Sequence, residues 1–203
     1  MLDNIREFLG TGSQEVPDYL EVLGLSEWYL GLSESETEML YQYSESMGMG
    51  NLLEGPVKST TQAAQGYLQT VGSKAISDKN YRFAEKVLLK AIETEDSNPT
   101  DRHFVYNELI DLFYKQRDER DDAIEKCIKY CKRDIDTIDE FLNDFLEEYG
   151  GEPPRIPAFK RLAIIYEKRG EYRDALEICD IALQYEQEGF EKRKERLNER
   201  IEG

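Results

Sequence analysis

This 203-residue sequence has few of the residues that build metal sites, disulfide frameworks and membrane spans. Its three cysteines and single histidine are too few for a disulfide framework or a four-ligand zinc site. The longest apolar stretch is Leu162–Tyr166, whereas a membrane helix needs about 20 apolar residues. The N-terminus has no basic segment that leads into an apolar run, so we expect no secretory signal. These absences predict a cytoplasmic protein that does not enter the membrane.

Positive charge is also in short supply. The chain has 26 Lys and Arg against 43 Asp and Glu, which gives a net charge of −17. Because this charge repels phosphate backbones, we expect no direct contact with nucleic acid. The imbalance is strongest in residues 1–60, which contain 11 acidic and 2 basic side chains. This difference predicts an acidic N-terminal extension over 1–60, followed by a separate domain over 62–203.

The pattern that is present is helical. From residue 62 onward apolar residues recur at spacings of three and four. The predicted helices are 62–76, 80–95, 101–117, 120–132, 134–148, 156–169, 171–186 and 189–201. In the extension, Ser33 and Glu36 form a capping-box pattern that predicts a helix over 34–46. Residues 44–61 are rich in Ser, Thr, Gly and Met, and we interpret them as a loop or linker.

Three predicted helical pairs align on one small residue early in the second helix of each pair. These residues are Ala84, Ala123 and Ala175. The position four residues after this anchor holds Leu88, Cys127 and Cys179 in the three pairs, respectively. A small side chain at the anchor lets the second helix approach the first, so the alignment predicts three related hairpins. The repeat-equivalent cysteines are interpreted as small buried hydrophobic residues.

The repeat resembles the tetratricopeptide repeat (TPR). The best copy, 156–185, matches the family pattern at Phe159, Leu162, Ala163, Tyr166, Gly170, Tyr172, Ala175 and Ala182. Weaker copies lie at 65–98 and 104–135, and the second has Asp111 where a small residue belongs. The anchors are 39 and 52 residues apart rather than the regular 34, and an extra helix near 134–148 accounts for much of the longer gap.

The resemblance implies an all-α fold of antiparallel hairpins, stacked as a short, degenerate TPR-like solenoid. The helix over 189–201, with Phe190, Leu197 and Ile201 on one stripe, is predicted to cap the array. In the family, first helices line a concave ligand-binding face. The candidate contacts on that face are Gln69, Ser73, Glu108, Leu112, Lys160, Arg161, Ile164 and Lys168. Lys160, Arg161 and Lys168 form one basic spot that suits a carboxylate or an acidic peptide. Gln69, Ser73 and Pro157 depart from the family's chaperone-binding pattern, so we do not predict binding of a chaperone tail.

A second candidate surface is the acidic run between Asp134 and Glu152, which contains eight carboxylates and no basic residue. It is interpreted as an amphipathic helix with a solvated acidic side, or as a docking face for a basic partner. The acidic-face candidates are Asp136, Asp139, Glu140 and Asp144.

The sequence contains no evident catalytic pattern. His103 has no nucleophile beside it and is interpreted as a packing or surface residue. Residues 50–59 resemble a phosphate-binding loop, but Pro56 and Val57 interrupt the Gly-Lys-Ser order that the loop needs. We therefore predict a non-enzyme without cofactor or metal, which binds a peptide or helix of another protein as an adaptor or regulatory module. The alternative is an acidic inhibitor or decoy that engages a basic nucleic-acid-binding protein.

Overall fold

A computed structural model of the chain describes residues 15–94 and 98–202. Within these ranges all regular secondary structure is helical, and helices that are neighbours in sequence pack together in pairs. The prediction of an all-α fold built from antiparallel hairpins is therefore confirmed. The chain divides between residues 97 and 98 into two compact units.

The first unit contains five-residue helices as well as longer ones. Within residues 15–94 its helices are α1 (Asp18–Val22), α2 (Ser26–Leu30), α3 (Glu34–Ser46), α4 (Gly50–Glu54), α5 (Ala64–Ser77) and α6 (Tyr81–Ala91). The α5–α6 hairpin is the first predicted repeat copy, and α3 packs against α5. The N-terminal segment thus shares a compact unit with this hairpin, whereas the sequence placed a domain boundary near residue 60.

Helix α3 begins where the sequence predicted. The Ser33 hydroxyl accepts from the Glu36 amide, and the Glu36 carboxylate accepts from the Ser33 amide, so the capping box is complete. The same carboxylate lies 2.7 Å from the ammonium of Lys86 on α6. One acidic side chain therefore both starts α3 and connects it to the first hairpin.

Residues 44–61 are not simply a linker. Helix α3 continues to Ser46, and α4 forms a further turn of helix in which Leu53 is buried. The Ser44 hydroxyl lies 2.9 Å from the phenol of Tyr67 on α5. The linker prediction is wrong here because Ser44 and Leu53 are both buried in the first unit.

The second unit contains two stacked hairpins with additional helices. Its helices are α7 (Pro99–Lys115), α8 (Ala123–Asp136), α9 (Ile138–Tyr149), α10 (Pro157–Arg169), α11 (Tyr172–Gln184) and α12 (Phe190–Glu202). Helices α7 and α8 form one hairpin, and α10 and α11 form the other. Helix α10 packs on α8, so the hairpins stack, while α12 packs on α11 at the end of the unit. The inserted helix α9 lies mainly against α7.

Small residues make the close packing possible. Ala84, Ala123 and Ala175 have no exposed surface, and neither have Cys127 and Cys179. The prediction that these positions are buried at helix interfaces is therefore confirmed. In α12, Phe190 and Leu197 are buried while Ile201 is 37% exposed, so the predicted capping stripe is covered along most of its length.

Candidate protein-interaction site

The candidate contacts lie on the first helices of the three hairpins, but they are not equally accessible. Gln69 and Ser73 are half-buried on α5 in the first unit. Glu108 is half-buried on α7, whereas Leu112 has no exposed surface. Leu112 therefore belongs to the core of the second unit rather than to a contact surface, because the apolar face of α7 turns it inward.

Helix α10 provides a stripe of accessible candidates. Arg161, Ile164 and Lys168 are spaced by three and four residues, which places them on one side of the helix. Arg161 and Ile164 are half-buried, and Lys168 is exposed. The stripe runs beside α7, the first helix of the preceding hairpin.

These cations meet the ring of Tyr114 on α7. The guanidinium carbon of Arg161 lies 3.6 Å from the ring centroid, and that of Arg117 lies 4.6 Å from it. The Lys168 ammonium is 5.8 Å from the same centroid and donates to the phenol oxygen over 3.4 Å. We call Tyr114, Arg117, Arg161 and Lys168 the Tyr114 cluster. Cation–π attraction holds its charges around one half-buried aromatic ring.

The Tyr114 cluster is electropositive. Arg117 forms an ion pair with Asp118 at 3.0 Å. No carboxylate among the described residues forms an ion pair with Arg161 or Lys168. A guanidinium stacked on a ring keeps the N–H groups at its edge available for hydrogen bonds. The cluster can therefore donate to a carboxylate or another oxyanion from an arginine, a lysine and a phenol.

Sequence reasoning identified half of the Tyr114 cluster. Arg161 and Lys168 were among the candidates, but Tyr114 and Arg117 were missed. Tyr114 lies 47 residues before Arg161, so no local pattern connects the two. The repeat alignment could have identified Tyr114, because it places Tyr114 and Tyr166 at equivalent positions of successive copies.

Lys160 does not join this cluster. It lines a cavity of about 550 Å³ at the start of α10 and α12, together with Arg155 and Arg193. Glu152, Glu186 and Glu188 line the same cavity, so its charge is mixed. The single basic spot expected from the sequence is thus divided between two places on the second unit.

The acidic-face candidates largely have partners within the second unit. The Asp139 carboxylate accepts from the Tyr185 hydroxyl over 2.8 Å, and Asp144 accepts from the Thr100 hydroxyl over 2.5 Å. Glu140 pairs with Arg102 at 3.9 Å. Asp136 is exposed. Three of these carboxylates therefore attach α9 to its neighbours.

One carboxylate of the acidic run is not on the surface at all. Asp134 is buried, and one of its oxygens lies 2.7 Å from Nδ1 of His103, which is also buried. The His103 ring stacks on Phe141 at 3.8 Å, and its Nε2 lies 2.9 Å from the amide nitrogen of Asn107. Burial raises the pKa of Asp134, and His103 only partly offsets this. The interpretation of His103 as a packing residue fits this position, whereas the solvated interpretation of Asp134 is wrong.

The cysteines Cys127, Cys131 and Cys179 are buried and unpaired. Burial raises the pKa of the Cys131 thiol well above its usual range, with smaller contributions from Cys127 and Asp134. A buried thiol that remains protonated is a poor nucleophile and a poor metal ligand. These side chains act as small apolar groups at the helix interfaces.

In the part of the chain that the structure describes, no helix is both long enough and apolar enough to cross a bilayer. No protein-family model matches the sequence, and no solved structure matches it. The chain is similar to an uncharacterized protein of Aquifex aeolicus (strain VF5). The two sequences are 27% identical over 170 residues, which cover 79% of this chain and 81% of that protein.

Proposed function

We propose that this protein is a cytoplasmic interaction module, related to TPR-like arrays, that binds an acidic peptide or helix of another protein. Its role is that of an adaptor or regulator rather than a catalyst. The observation that carries the proposal is the Tyr114 cluster. On a protein of net charge −17 it places two cations, Arg161 and Lys168, that form no ion pair with a carboxylate of residues 15–94 or 98–202, at the seam between α7 and α10.

The chemistry of the Tyr114 cluster favours a protein ligand. Tyrosine and arginine are among the side chains that are enriched at positions that dominate binding energy in protein interfaces. Ile164 lies on α10 between the two cations and adds a half-buried apolar side chain. A segment with one carboxylate and one apolar side chain would satisfy both features.

The local electrostatics favour an acidic segment in particular. Overall negative charge slows the approach of an acidic ligand, whereas an unneutralised basic spot attracts it locally and fixes its register. Binding of this type weakens as salt rises, because the contacts lie at a partly exposed seam.

The test is quantitative co-purification from source cytosol with the tagged 203-residue chain. The site variant combines Arg161→Glu and Lys168→Glu. The matched control combines Arg173→Glu and Lys192→Glu, two exposed cations on α11 and α12 with the same change in charge. We expect a defined partner to be reduced at least about tenfold by the site variant and less than about twofold by the control.

Equal recovery of every partner with the site variant and the wild type would contradict the proposal. Equal loss with both variants would also contradict it, since binding would then depend on total charge. Circular dichroism of each variant must show unchanged helix content. Nuclease treatment identifies partners that are held through nucleic acid.

A further inference from the structure

Helix α9 presents a column of aromatic rings that leads out of the core. Phe141, Phe145 and Tyr149 are spaced by four residues, and their successive ring centroids lie 5.6 Å and 4.8 Å apart. Phe141 is buried at 2% exposure, Phe145 is half-buried, and Tyr149 is 63% exposed. The column is thus anchored at one end and accessible at the other.

The exposed end of the column belongs to a wider apolar face. Leu146, one residue after Phe145, is also half-buried. Tyr149 has the highest exposed fraction of the large hydrophobic residues that the structure describes. We call Phe145, Leu146 and Tyr149, with the flanking Glu147 and Glu148, the α9 end face. Contiguous apolar groups that stay partly accessible and are rimmed by charge are typical of interaction surfaces.

The charged side chains that α9 and its flanking loop contribute all have one sign. No Lys or Arg occurs between Arg133 and Arg155 in the sequence. Glu147 and Glu148 are exposed in the last turn of α9, which contains no basic residue. Because a helix C-terminus carries partial negative charge, carboxylates there are unfavourable for the helix. Carboxylates that are kept at a helix C-terminus despite this cost are typical of a surface used for binding.

These observations determine the chemistry of the occupant. Its apolar side chains must cover Phe145, Leu146 and Tyr149, and its cations must reach Glu147, Glu148 and the last carbonyl groups of α9. A helix with one apolar stripe and a row of Lys or Arg supplies both. An arginine over the Tyr149 ring adds a cation–π contact.

We infer that the α9 end face docks a basic amphipathic helix of a partner protein. This surface is distinct from the Tyr114 cluster in both position and charge, so the two ligands are of opposite sign. The inference does not depend on the proposed function. A basic helix can bind at α9 even if no acidic ligand binds at α7 and α10, and an acidic ligand can bind there even if no basic helix binds at α9.

The probe is a synthetic amphipathic helix of Leu and Lys, about 18 residues or five turns long, with a Gln-for-Lys counterpart. Binding to the full chain is followed by fluorescence anisotropy at low and at physiological salt. We expect the Lys peptide to bind at least about tenfold more tightly than the Gln peptide, with the difference shrinking as salt rises.

Two variants locate the binding. Glu147→Gln with Glu148→Gln removes the charge, and Tyr149→Ser removes the exposed ring. Glu177→Gln with Glu195→Gln is the control, since both are exposed carboxylates on other helices and their loss changes the net charge equally. We expect each α9 variant to weaken binding about tenfold and the control to weaken it less than twofold.

Several outcomes would overturn the inference. Equal weakening by the control pair would show attraction to total negative charge alone. Equal binding of the Lys and Gln peptides, or no binding of either, would exclude a basic helix as the ligand. Sedimentation that shows self-association lost in the Tyr149→Ser variant would make a second copy the occupant instead. Circular dichroism checks that each variant retains its helices.

Discussion

At the residue scale, the most informative positions are those where a side chain's neighbours come from far along the chain. The repeat alignment correctly placed Ala84, Ala123 and Ala175 at buried interfaces. The alignment did not predict the burial of Asp134, because the surrounding acidic residues indicated a solvated side chain. The burial of Asp134 depends on His103, 31 residues earlier, which no local spacing reveals.

Gly72 provides the sharpest test of hairpin packing. A Cβ added there would lie 2.5 Å from Cδ2 and 2.6 Å from Cγ of Leu88, which is fully buried. We predict that Gly72→Ala lowers the free energy of unfolding by about 1–3 kcal/mol, because the core has to shift. Ser73→Ala, on the next residue, is expected to change it by less than about 0.5 kcal/mol. Chemical denaturation measures both, and equal stability of Gly72→Ala and the wild type would contradict the packing.

The buried Asp134 predicts a specific pH dependence. Its pKa is raised above the ordinary value of 3.8, so the folded state binds its proton more tightly than the unfolded state. The contribution of Asp134 to the free energy of unfolding should therefore fall as pH rises from 3.8 to the raised value. Asp134→Asn removes this fall, whereas Asp136→Asn, at an exposed site, leaves it in place. Denaturation at a series of pH values tests this, and identical profiles for Asp134→Asn and the wild type would contradict it.

At the element scale, the length of each helix determined whether the sequence predicted it. Among the described helices, the longer ones, α3 and α5–α12, were expected at nearly their observed positions, because each has enough turns to show an apolar period. The five-residue helices α1, α2 and α4 were missed, since one turn gives no period. Leu53 in α4 is nevertheless buried, so its place depends on tertiary contacts rather than on propensity.

The capping box of α3 predicts a local contribution to stability. Ser33→Ala leaves the Glu36 amide without its acceptor, and we expect a loss of about 1 kcal/mol in the free energy of unfolding. Ser35→Ala removes a hydroxyl from the same turn without removing the cap, and is expected to cost clearly less. A larger loss for Ser35→Ala in thermal denaturation would argue against the cap.

At the scale of the whole molecule, the sequence predicted the class of fold but placed the division of the chain elsewhere. The acidic composition of residues 1–60 suggested a separate extension, yet Tyr67 on α5 packs edge-on against Tyr19 at 5.3 Å. Composition reports surface charge, whereas a compact unit is defined by its buried contacts. The candidate site was half predicted for a similar reason: Arg161 and Lys168 lie on one stripe, but Tyr114 is contributed by another hairpin.

Because the chain divides into two compact units, we predict that residues 98–203 fold on their own. Both hairpins and the capping helix of this segment pack against one another, and its length is usual for a single domain. We expect the isolated segment to show helical circular dichroism and a cooperative thermal transition. A non-cooperative, weakly helical segment would show that this unit depends on the rest of the chain.

If a protein partner binds at the Tyr114 cluster, it lies within reach of the Lys168 ammonium. The most direct measurement is lysine-directed cross-linking mass spectrometry of the full chain purified with its partner. We expect partner cross-links at Lys168 on α10, and their loss in an Arg161→Glu variant that retains Lys168. Cross-links confined to exposed lysines elsewhere, such as Lys129 on α8 or Lys192 on α12, with none at Lys168, would contradict it.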